Sequence, residues 1–395
     1  MAEIRSTECE TRSGYGRPVL ITPRRIAARH GLDDPGAFAM TYTMDRRRLL
    51  ANSLRAAAGL AVLGSAPTLL AGCGDDEETP AGPTNLGTLD YQLSWIKNVE
   101  FAGQYIADTK GYYAAAGFTA VNLMAGGPNV SQDSVVAAGK ALVGISSPDI
   151  TAAAILKGAP LVLIGAQYQK NPFCIMSLKD KPITTPQDMV GKKIGVQATN
   201  EPVWAAFLKA NNLDPASITK VPAQFDPAPL VNKEVDGWFS FFTNEPNLLK
   251  TQGHETAVML LNDHGYPMVS EVYVVRKDSL TSKRDALKAM LIADIKGWAD
   301  SVKDPKLGAN LAATKYGKDL GLNEAEQVLE SEAQNTVVAT DETKANGLFT
   351  ITDAKITETI ATLALGGVTI TKEQLFDMSV LAEVYQENPD LKGLL

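Results

Sequence analysis

The segment LDYQLSW occupies residues 89–95 and is followed by GQYIADTKGYYAAA at 103–116 and TAVNLM at 119–124. The first and third segments are short, apolar and rich in β-prone residues, whereas the second has the apolar period of a helix. A strand, a helix and a second strand in this order indicate a βαβ unit with parallel strands.

The same alternation continues along most of the chain. Further strands are predicted at 141–146, 161–166, 195–197, 218–222, 237–242 and 257–261. Helices are predicted at 131–138, 149–156, 201–211 and 244–251, and then at 283–303, 306–316, 323–332 and 351–363. The sequence therefore predicts an α/β protein with mainly parallel sheets and a helical C-terminal segment.

Two similar segments interrupt this alternation, FCIMSLKD at 173–180 and EVYVVRKD at 271–278. Each runs from β-prone residues into a Lys-Asp turn, and we interpret them as a pair of crossing strands that join two Rossmann-like lobes. Lobe one is then 88–176 with 275–395, and lobe two is 177–274. The alternative is that each segment is an ordinary exit from a strand into a turn.

A segment near the N-terminus has the composition of an export signal. Residues 44–48 are basic, and residues 56–70 form an apolar run too short for a transmembrane helix, which ends in LAGC at 70–73. Small residues before a cysteine suit a peptidase that cuts ahead of a lipidated thiol. We therefore expect a lipoprotein signal peptide at 44–72 and a lipid anchor on Cys73, the alternative being a buried helix that ends at a chance cysteine.

The sequences before and after this signal differ in composition, and we interpret them differently. Residues 1–43 lack apolar periodicity, and we interpret them as a non-native or untranslated extension before a start at Met44 or Met40. Residues 73–87 are acidic and rich in Pro and Gly, which predicts a flexible tether. The Arg-rich sequence at 45–50 partly resembles a twin-arginine signal, so general secretion and twin-arginine export both remain open.

On this interpretation the protein is exported and held at the cell membrane by its lipid, facing the periplasm or the cell exterior. Without residues 1–72, the chain has 27 basic and 39 acidic side chains, a formal charge of −12, which argues against a nucleic-acid partner. Cys174 would have no free cysteine to pair with. His254 and His264 stand in no recognisable catalytic context, so we expect no catalytic residues, no metal, no cofactor and no enzymatic activity.

Several short motifs occur in a characteristic order. They are LSWIKN at 93–98, FAGQYIA at 101–107, DMVGKKIG at 188–195, NEPNLLK at 244–250 and DHGY at 263–266. Together they resemble the cluster-F solute-binding proteins of ABC importers, in the branch that includes receptors for thiamine pyrimidine precursors and riboflavin. The resemblance implies a type II periplasmic binding protein fold, a small ligand between the lobes, an ABC permease as partner and a monomeric receptor. The chain departs from that family near its first loop, where a Pro and a His or Asn are usual.

A receptor of this kind binds its ligand at the carboxyl ends of its strands. The candidate ligand-binding residues follow the predicted strands or lie in the return segment: Trp95, Asn98, Gly126, Gly127, Ser147, Gln167, Tyr168, Asn200, Glu201, Trp204, Trp238, Asn244, Asp263 and Tyr266. Trp204 and Trp238 fit the hydrophobic core equally well, and Ser147 and Asn200 fit helix caps.

These candidates are mostly aromatic or neutral and polar, which favours a heteroaromatic nutrient held by stacking and by amide hydrogen bonds. A sulfonate, taurine or nitrate receptor is the alternative, and it would need Arg or Lys at its anion. Two alternatives from other classes are a relative that synthesises a thiamine pyrimidine as an enzyme and an extracytoplasmic scaffold or sensor with an empty crevice.

Overall fold

A computed structural model describes residues 85–395. The predicted extension, the signal peptide, Cys73 and most of the tether at 73–87 lie outside these residues. Within residues 85–395, no helix has both the length and the apolar character needed to cross a membrane.

The strands of the described chain form two sheets. They are β1 (Gly87–Gln92), β2 (Phe118–Met124), β3 (Val143–Ser146), β4 (Leu161–Tyr168), β5 (Phe173–Leu178), β6 (Lys193–Gln197), β7 (Thr219–Ala223), β8 (Gly237–Phe241), β9 (Thr256–Leu260) and β10 (Ser270–Arg276). The strand order is β2-β1-β3-β10-β4 in the first sheet and β7-β6-β8-β5-β9 in the second.

Each sheet is mainly parallel and has one reversed strand. In the first sheet β1 lies parallel to β2 and β3, while β10 is antiparallel to β3 and β4. In the second sheet β6 lies parallel to β7 and β8, while β5 is antiparallel to β8 and β9. We call the first sheet with its helices lobe one and the second lobe two. The predicted fold class of two α/β lobes with a helical C-terminal segment is confirmed.

The chain passes between the lobes in the segments before β5 and β10, not within these strands. Cys174 pairs with Ser240 and Leu260, so β5 belongs wholly to lobe two. Val272 pairs with Ser146 and Ala166, so β10 belongs wholly to lobe one. The boundaries therefore differ from the predicted ones after residues 176 and 274, because β-propensity identifies a strand without identifying its hydrogen-bond partner.

The helices cover both sheets and fill the C-terminal segment. The α-helices are α1 (Ala102–Thr109), α2 (Tyr112–Ala115), α3 (Gln132–Ala137), α4 (Pro148–Leu156), α5 (Glu201–Ala210), α6 (Ala228–Val231), α7 (Glu245–Thr251), α8 (Ser279–Ser282), α9 (Arg284–Lys303), α10 (Pro305–Leu311), α11 (Glu324–Val338), α12 (Asp341–Asn346), α13 (Asp353–Leu365), α14 (Lys372–Leu375) and α15 (Ser379–Glu387). The helix predicted at 103–116 is divided into α1 and α2 at Gly111, which has a φ of 73°.

Close packing of α9 on α1 fixes the position of the short 3₁₀ turn that precedes α1. The indole of Trp298 lies against Gly103, and Gly297 lies against the Gly103 carbonyl, so a side chain at either glycine would collide with its neighbour. Trp298 is fully buried in the main hydrophobic core together with Tyr91 and Phe349. This packing holds the short 3₁₀ turn Val99–Phe101, which carries Glu100, at the edge of the cleft between the lobes.

Candidate ligand-binding cleft

A cavity of about 480 Å³, including its open mouth, lies between the two lobes. Lobe one lines it with Ser94, Trp95, Glu100, Gln132, Ser146, Ser147, Ile150 and Glu271. Lobe two lines it with Phe173, Gln197, Thr199, Asn200, Phe239, Ser240, Phe241, Asn244 and Glu245.

The parallel strands bring these residues together because their carboxyl ends meet at the same edge of each sheet. Ser94 and Trp95 follow β1, and Ser146 ends β3. From the opposite lobe, Gln197 ends β6 and Phe241 ends β8. The cavity therefore lies at the position that a ligand occupies in open α/β sheets.

Aromatic rings form part of the cavity wall. The rings of Phe173 and Phe241 meet edge to face with their centroids 4.6 Å apart, and the centroids of Phe173 and Phe239 are 5.1 Å apart. Trp95 lines the cavity from the other lobe and is only partly buried. A flat ring between these lobes would contact aromatic surface on both sides.

Three buried glutamates, Glu100, Glu245 and Glu271, face the same cavity, and each is at most 7% exposed. Ser94 Oγ lies 3.0 Å from Glu100 Oε1 and also 3.0 Å from Glu271 Oε2. Asn244 Nδ2 donates to Glu100 Oε2 at 2.9 Å, and the Phe241 amide donates to Glu245 Oε2 at 3.2 Å.

No basic side chain balances these carboxyls. Among the residues that line the cavity in the described chain there is neither Lys nor Arg, and none of the ion pairs between described residues includes Glu100, Glu245 or Glu271. Burial raises the pKa of Glu245 to about 7. Burial also raises the pKa of Glu100, and burial with the charge of Glu100 raises the pKa of Glu271 well above its usual range.

The two lobes also touch at the margin of the cleft. The Thr199 amide donates to the Pro128 carbonyl at 3.1 Å, and Asn129 Nδ2 donates to Gln224 Oε1 at 3.3 Å. Together with the bond between Asn244 and Glu100, these contacts join the lobes, so the structure represents a closed arrangement of the cleft.

Four of the predicted residues line the cavity: Trp95, Ser147, Asn200 and Asn244. Asn98 lies in an adjoining depression that also includes Trp95 and Asn244, and its Nδ2 donates to Glu330 Oε1 at 2.7 Å. These residues come from both lobes, as a site between two sheets requires.

The other two predicted tryptophans belong to the hydrophobic core. Trp204 is 4% exposed and meets Phe239 edge to face at a centroid distance of 6.2 Å. Trp238 is buried against Gly195 and lies in a small separate core with Leu230. A β-strand directs alternate side chains to opposite faces, so Phe239 and Phe241 reach the cavity while Trp238 points away.

Gln167, Tyr168 and Tyr266 are buried in hydrogen-bond networks and do not line the cavity. Gln167 Oε1 accepts from Gln104 Nε2 at 3.0 Å, and Tyr168 donates to Gln334 Oε1 at 2.8 Å. The Tyr266 hydroxyl donates to Asp149 Oδ2 at 3.0 Å, and Asp149 lies in the first turn of α4. The C-terminal segment covers the end of β4, where the Ala166 amide donates to the Phe349 carbonyl and the Gln169 amide donates to the Val337 carbonyl.

The remaining predicted residues lie outside the cavity lining. Glu201 pairs with Lys220, and Asp263 pairs with Lys170 at 3.1 Å, both at the surface. Gly126 donates its amide to the Trp95 carbonyl at 2.8 Å, and a side chain there would collide with the Ser94 backbone. Gly126 therefore supports the Trp95 loop, and the adjacent Gly127 has a φ of 144°.

The three cavity glutamates were not among the predicted site residues. Glu245 directly follows Asn244 in the NEPNLLK motif, so it could have been predicted from that motif. Glu271 is followed by VYVV, and a lone acid at the edge of such an apolar strand signals a buried charge. Glu100 lies in a short 3₁₀ turn that the apolar pattern does not reveal.

The fold and the cleft define a two-lobed binding protein. The chain belongs to the NMT1/THI5-like family, whose model matches residues 98–307, and the family resemblance seen in the sequence is thereby confirmed.

The chain is also similar to two relatives in sequence and to one solved structure in fold. The chain is 25% identical over 245 residues to the riboflavin-binding protein RibY of Chloroflexus aurantiacus, covering 60% of this chain and 69% of the relative. It is 23% identical over 201 residues to a putative thiamine biosynthesis protein of Haemophilus influenzae, covering 50% of this chain and 64% of that protein. The fold is similar to that of the periplasmic aliphatic sulphonate binding protein SsuA from Escherichia coli, with a TM-score of 0.53, 16% identity, and coverage of 74% of this chain and 91% of that structure.

Proposed function

We propose that this protein is the extracytoplasmic solute-binding receptor of an ABC importer and that it holds a small heteroaromatic nutrient between its lobes. The observation that carries the proposal is the cavity between the strand ends, to which both lobes contribute aromatic rings, amides and carboxyls. A thiamine pyrimidine precursor or a riboflavin-like compound combines a flat ring with ring-edge donors, which such a lining can recognise.

The relatives give this proposal independent support. One relative is named for riboflavin binding and the other for thiamine biosynthesis, and both of these vitamins contain heteroaromatic rings. The likeness to the sulphonate-binding protein concerns the fold alone, because the identity is only 16%.

A sulfonate, taurine or nitrate ligand fits this cavity poorly. An anion needs Arg, Lys or a helix N-terminus as its partner. The N-termini of α4 and α5 reach the cavity at Ser147 and Asn200, but within the described chain the cavity has neither Lys nor Arg. The ionised forms of Glu100, Glu245 and Glu271 repel an anion.

A pyrimidine-synthesising enzyme is the alternative from another class. The chain has two histidines in the described residues, His254 and His264, and neither lines the cavity. A receptor releases its ligand unchanged, so mass spectrometry of the ligand recovered after incubation distinguishes the two activities. Recovery of a converted product would favour the enzyme.

The proposed setting of the receptor follows from its leader. The signal peptide at 44–72 directs export, lipidation of Cys73 anchors the protein at the membrane, and the tether at 73–87 leaves a monomeric receptor free to meet its permease. A random-coil tether of this length reaches some tens of ångströms. Anchoring thus keeps the receptor close to the permease while the lobes open and close.

Thermal shift with purified protein tests the proposed ligand class. The panel contains riboflavin, an aminopyrimidine, an alkanesulfonate and nitrate. We expect the melting temperature to rise with at least one heteroaromatic compound and not with the anions. A rise with the anions alone would assign the protein to the sulfonate and nitrate receptors instead, and a response to none of them would favour the scaffold.

A further inference from the structure

The acidic side chains of the cavity indicate the charge of the ligand, which the aromatic walls do not. We infer that the cavity binds a cationic ligand, an amine-bearing heteroaromatic compound whose N–H groups donate to Glu100, Glu245 and Glu271. This inference rests on the proposed receptor function and adds to it the ligand's charge.

The contacts of Ser94 favour a proton on one of the two carboxyls beside it. Ser94 Oγ lies within hydrogen-bond distance of both Glu100 and Glu271, but a hydroxyl has one proton to donate. A proton shared between the two carboxyls would bond each of them weakly, whereas two full hydrogen bonds form if one carboxyl is protonated and donates to Ser94. A ligand with a positive charge and N–H donors can replace that proton.

An unused acceptor in the same cavity points to a donor on the ligand. Gln132 is 2% exposed and lines the cavity, and its Nε2 donates to Ser146 Oγ at 3.4 Å. Its Oε1 has no hydrogen-bond partner among the described residues. A buried acceptor without a donor is unfavourable, so a ligand N–H at this position would stabilise the complex.

The backbone at Glu271 is held in an unusual conformation. Glu271 has a φ of 46°, in the left-handed region that non-glycine residues rarely adopt, and it lies beside a register irregularity between β10 and β4. The surrounding structure must compensate for this strain, which typically occurs at functional positions. The strained backbone directs a carboxylate into the cavity.

Within residues 85–395, the groups around the three carboxyls supply no positive charge. The other titratable groups there are Glu330, the phenols of Tyr105 and Tyr168, and the Cys174 thiol near Glu245, none of which becomes positively charged. Among the described residues, no group of three or more His, Cys, Asp or Glu side chains is arranged to hold a metal ion. An organic cation with directional N–H donors therefore matches the cavity better.

A matched pair of ligands tests the inference. One is an aminopyrimidine with an aminomethyl arm, which is protonated at neutral pH, and the other has the same ring with a neutral hydroxymethyl arm. Isothermal titration calorimetry, run in buffers of different ionisation enthalpy, measures affinity and proton release. We expect the aminomethyl compound to bind about tenfold or more tightly than the hydroxymethyl compound and to release protons at pH 6.5.

Glutamate-to-glutamine variants show whether the preference for the aminomethyl compound depends on the charge of the side chains or on their shape. Glu271→Gln and Glu245→Gln keep the side-chain shape and should each remove most of the preference for the aminomethyl compound. Glu255→Gln is the control, since Glu255 is exposed and pairs with Lys179.

The possible outcomes distinguish this inference from the proposed function. Equal affinity for both pyrimidines, or tight binding of riboflavin without preference for the amine, would overturn the inferred charge and leave the receptor function intact. Binding of neither pyrimidine nor riboflavin would contradict both.

Discussion

Asn244 Nδ2 donates to Glu100 Oε2 across 2.9 Å and so joins lobe two to lobe one at the wall of the ligand cavity. Both side chains are buried, and Asn244 follows β8 whereas Glu100 lies in the turn before α1. The bond links closure of the cleft to the ionisation state of a carboxyl that faces the ligand.

Asn244→Asp should open the cleft at alkaline pH. The substitution replaces the amide donor by a carboxylate that repels Glu100, so we expect the free energy of unfolding at pH 8 to fall by roughly 1–3 kcal/mol. The loss of stability should be smaller at pH 5.5, where one carboxyl can be protonated and donate to the other. Small-angle scattering should show a larger radius of gyration at pH 8.

The exposed Asn346 offers a control for this substitution. Asn346→Asp makes the same chemical change at the last residue of α12. It should leave the radius of gyration unchanged and lower the free energy of unfolding by less than about 1 kcal/mol, because a negative charge at a helix C-terminus is mildly unfavourable. Equal behaviour of the two variants would show that the contact between Asn244 and Glu100 does not hold the lobes together.

Trp95→Ala should weaken ligand binding strongly and change the melting temperature of the free protein only slightly. Trp95 lies in the loop after β1, lines the cavity and packs against the core only while partly exposed, so truncation removes mainly aromatic contact with the ligand. Trp204→Ala should do the opposite, because loss of a buried tryptophan destabilises a protein by about 3–5 kcal/mol. Calorimetry and thermal denaturation of both variants measure the difference. A large stability loss in Trp95→Ala would identify Trp95 as a core residue.

The ligand-free protein should be more stable at pH 5.5 than at pH 8. Burial raises the pKa of Glu245 and of Asp294 to about 7 and that of Asp133 to about 6, whereas in the unfolded chain such carboxyls titrate near 4. A raised pKa means that the folded protein binds more protons between these values, so stability decreases as the pH rises through 6 to 7.

Thermal denaturation across this pH range measures the effect. Glu245→Gln should make the pH dependence shallower, and Glu255→Gln should leave it unchanged. A melting temperature that rises from pH 5.5 to pH 8 would show that these carboxyls are ionised in the folded protein without a penalty.

Lipidation of Cys73 gives a prediction about the part of the chain before the described residues. Cells grown with a radiolabelled fatty acid should incorporate label into the protein, and Cys73→Ser should abolish that incorporation while Cys174→Ser should not. Cys174 is buried beside Ser240, so it is not accessible to a lipid transferase. Equal labelling of wild type and Cys73→Ser would exclude the proposed anchor.

The alternating apolar pattern predicted the fold well because local periodicity identifies buried strands. The strand predicted at 119–124 is observed as Phe118–Met124, and that at 237–242 as Gly237–Phe241. The short helices at 341–346, 372–375 and 379–387 were missed. The first two have fewer than seven residues, too few for a 3.6-residue period to stand out.

The site was less predictable because it depends on contacts between distant segments. The position of Trp95 after a strand was sufficient to predict its place at the cavity. Trp238 lies one residue from Phe239 on the same strand, and only the register of β8 decides which side chain reaches the cleft. The acidic character of the cavity arises from residues 100, 245 and 271, which the fold brings together from two lobes.

Direct titration of the purified protein with heteroaromatic compounds tests the central claim. We expect saturable binding of one molecule of an aminopyrimidine or of riboflavin per chain, weakened at least about tenfold in Trp95→Ala, which corresponds to 1.4 kcal/mol. Binding of a sulfonate or nitrate with no response to any heteroaromatic compound would contradict it.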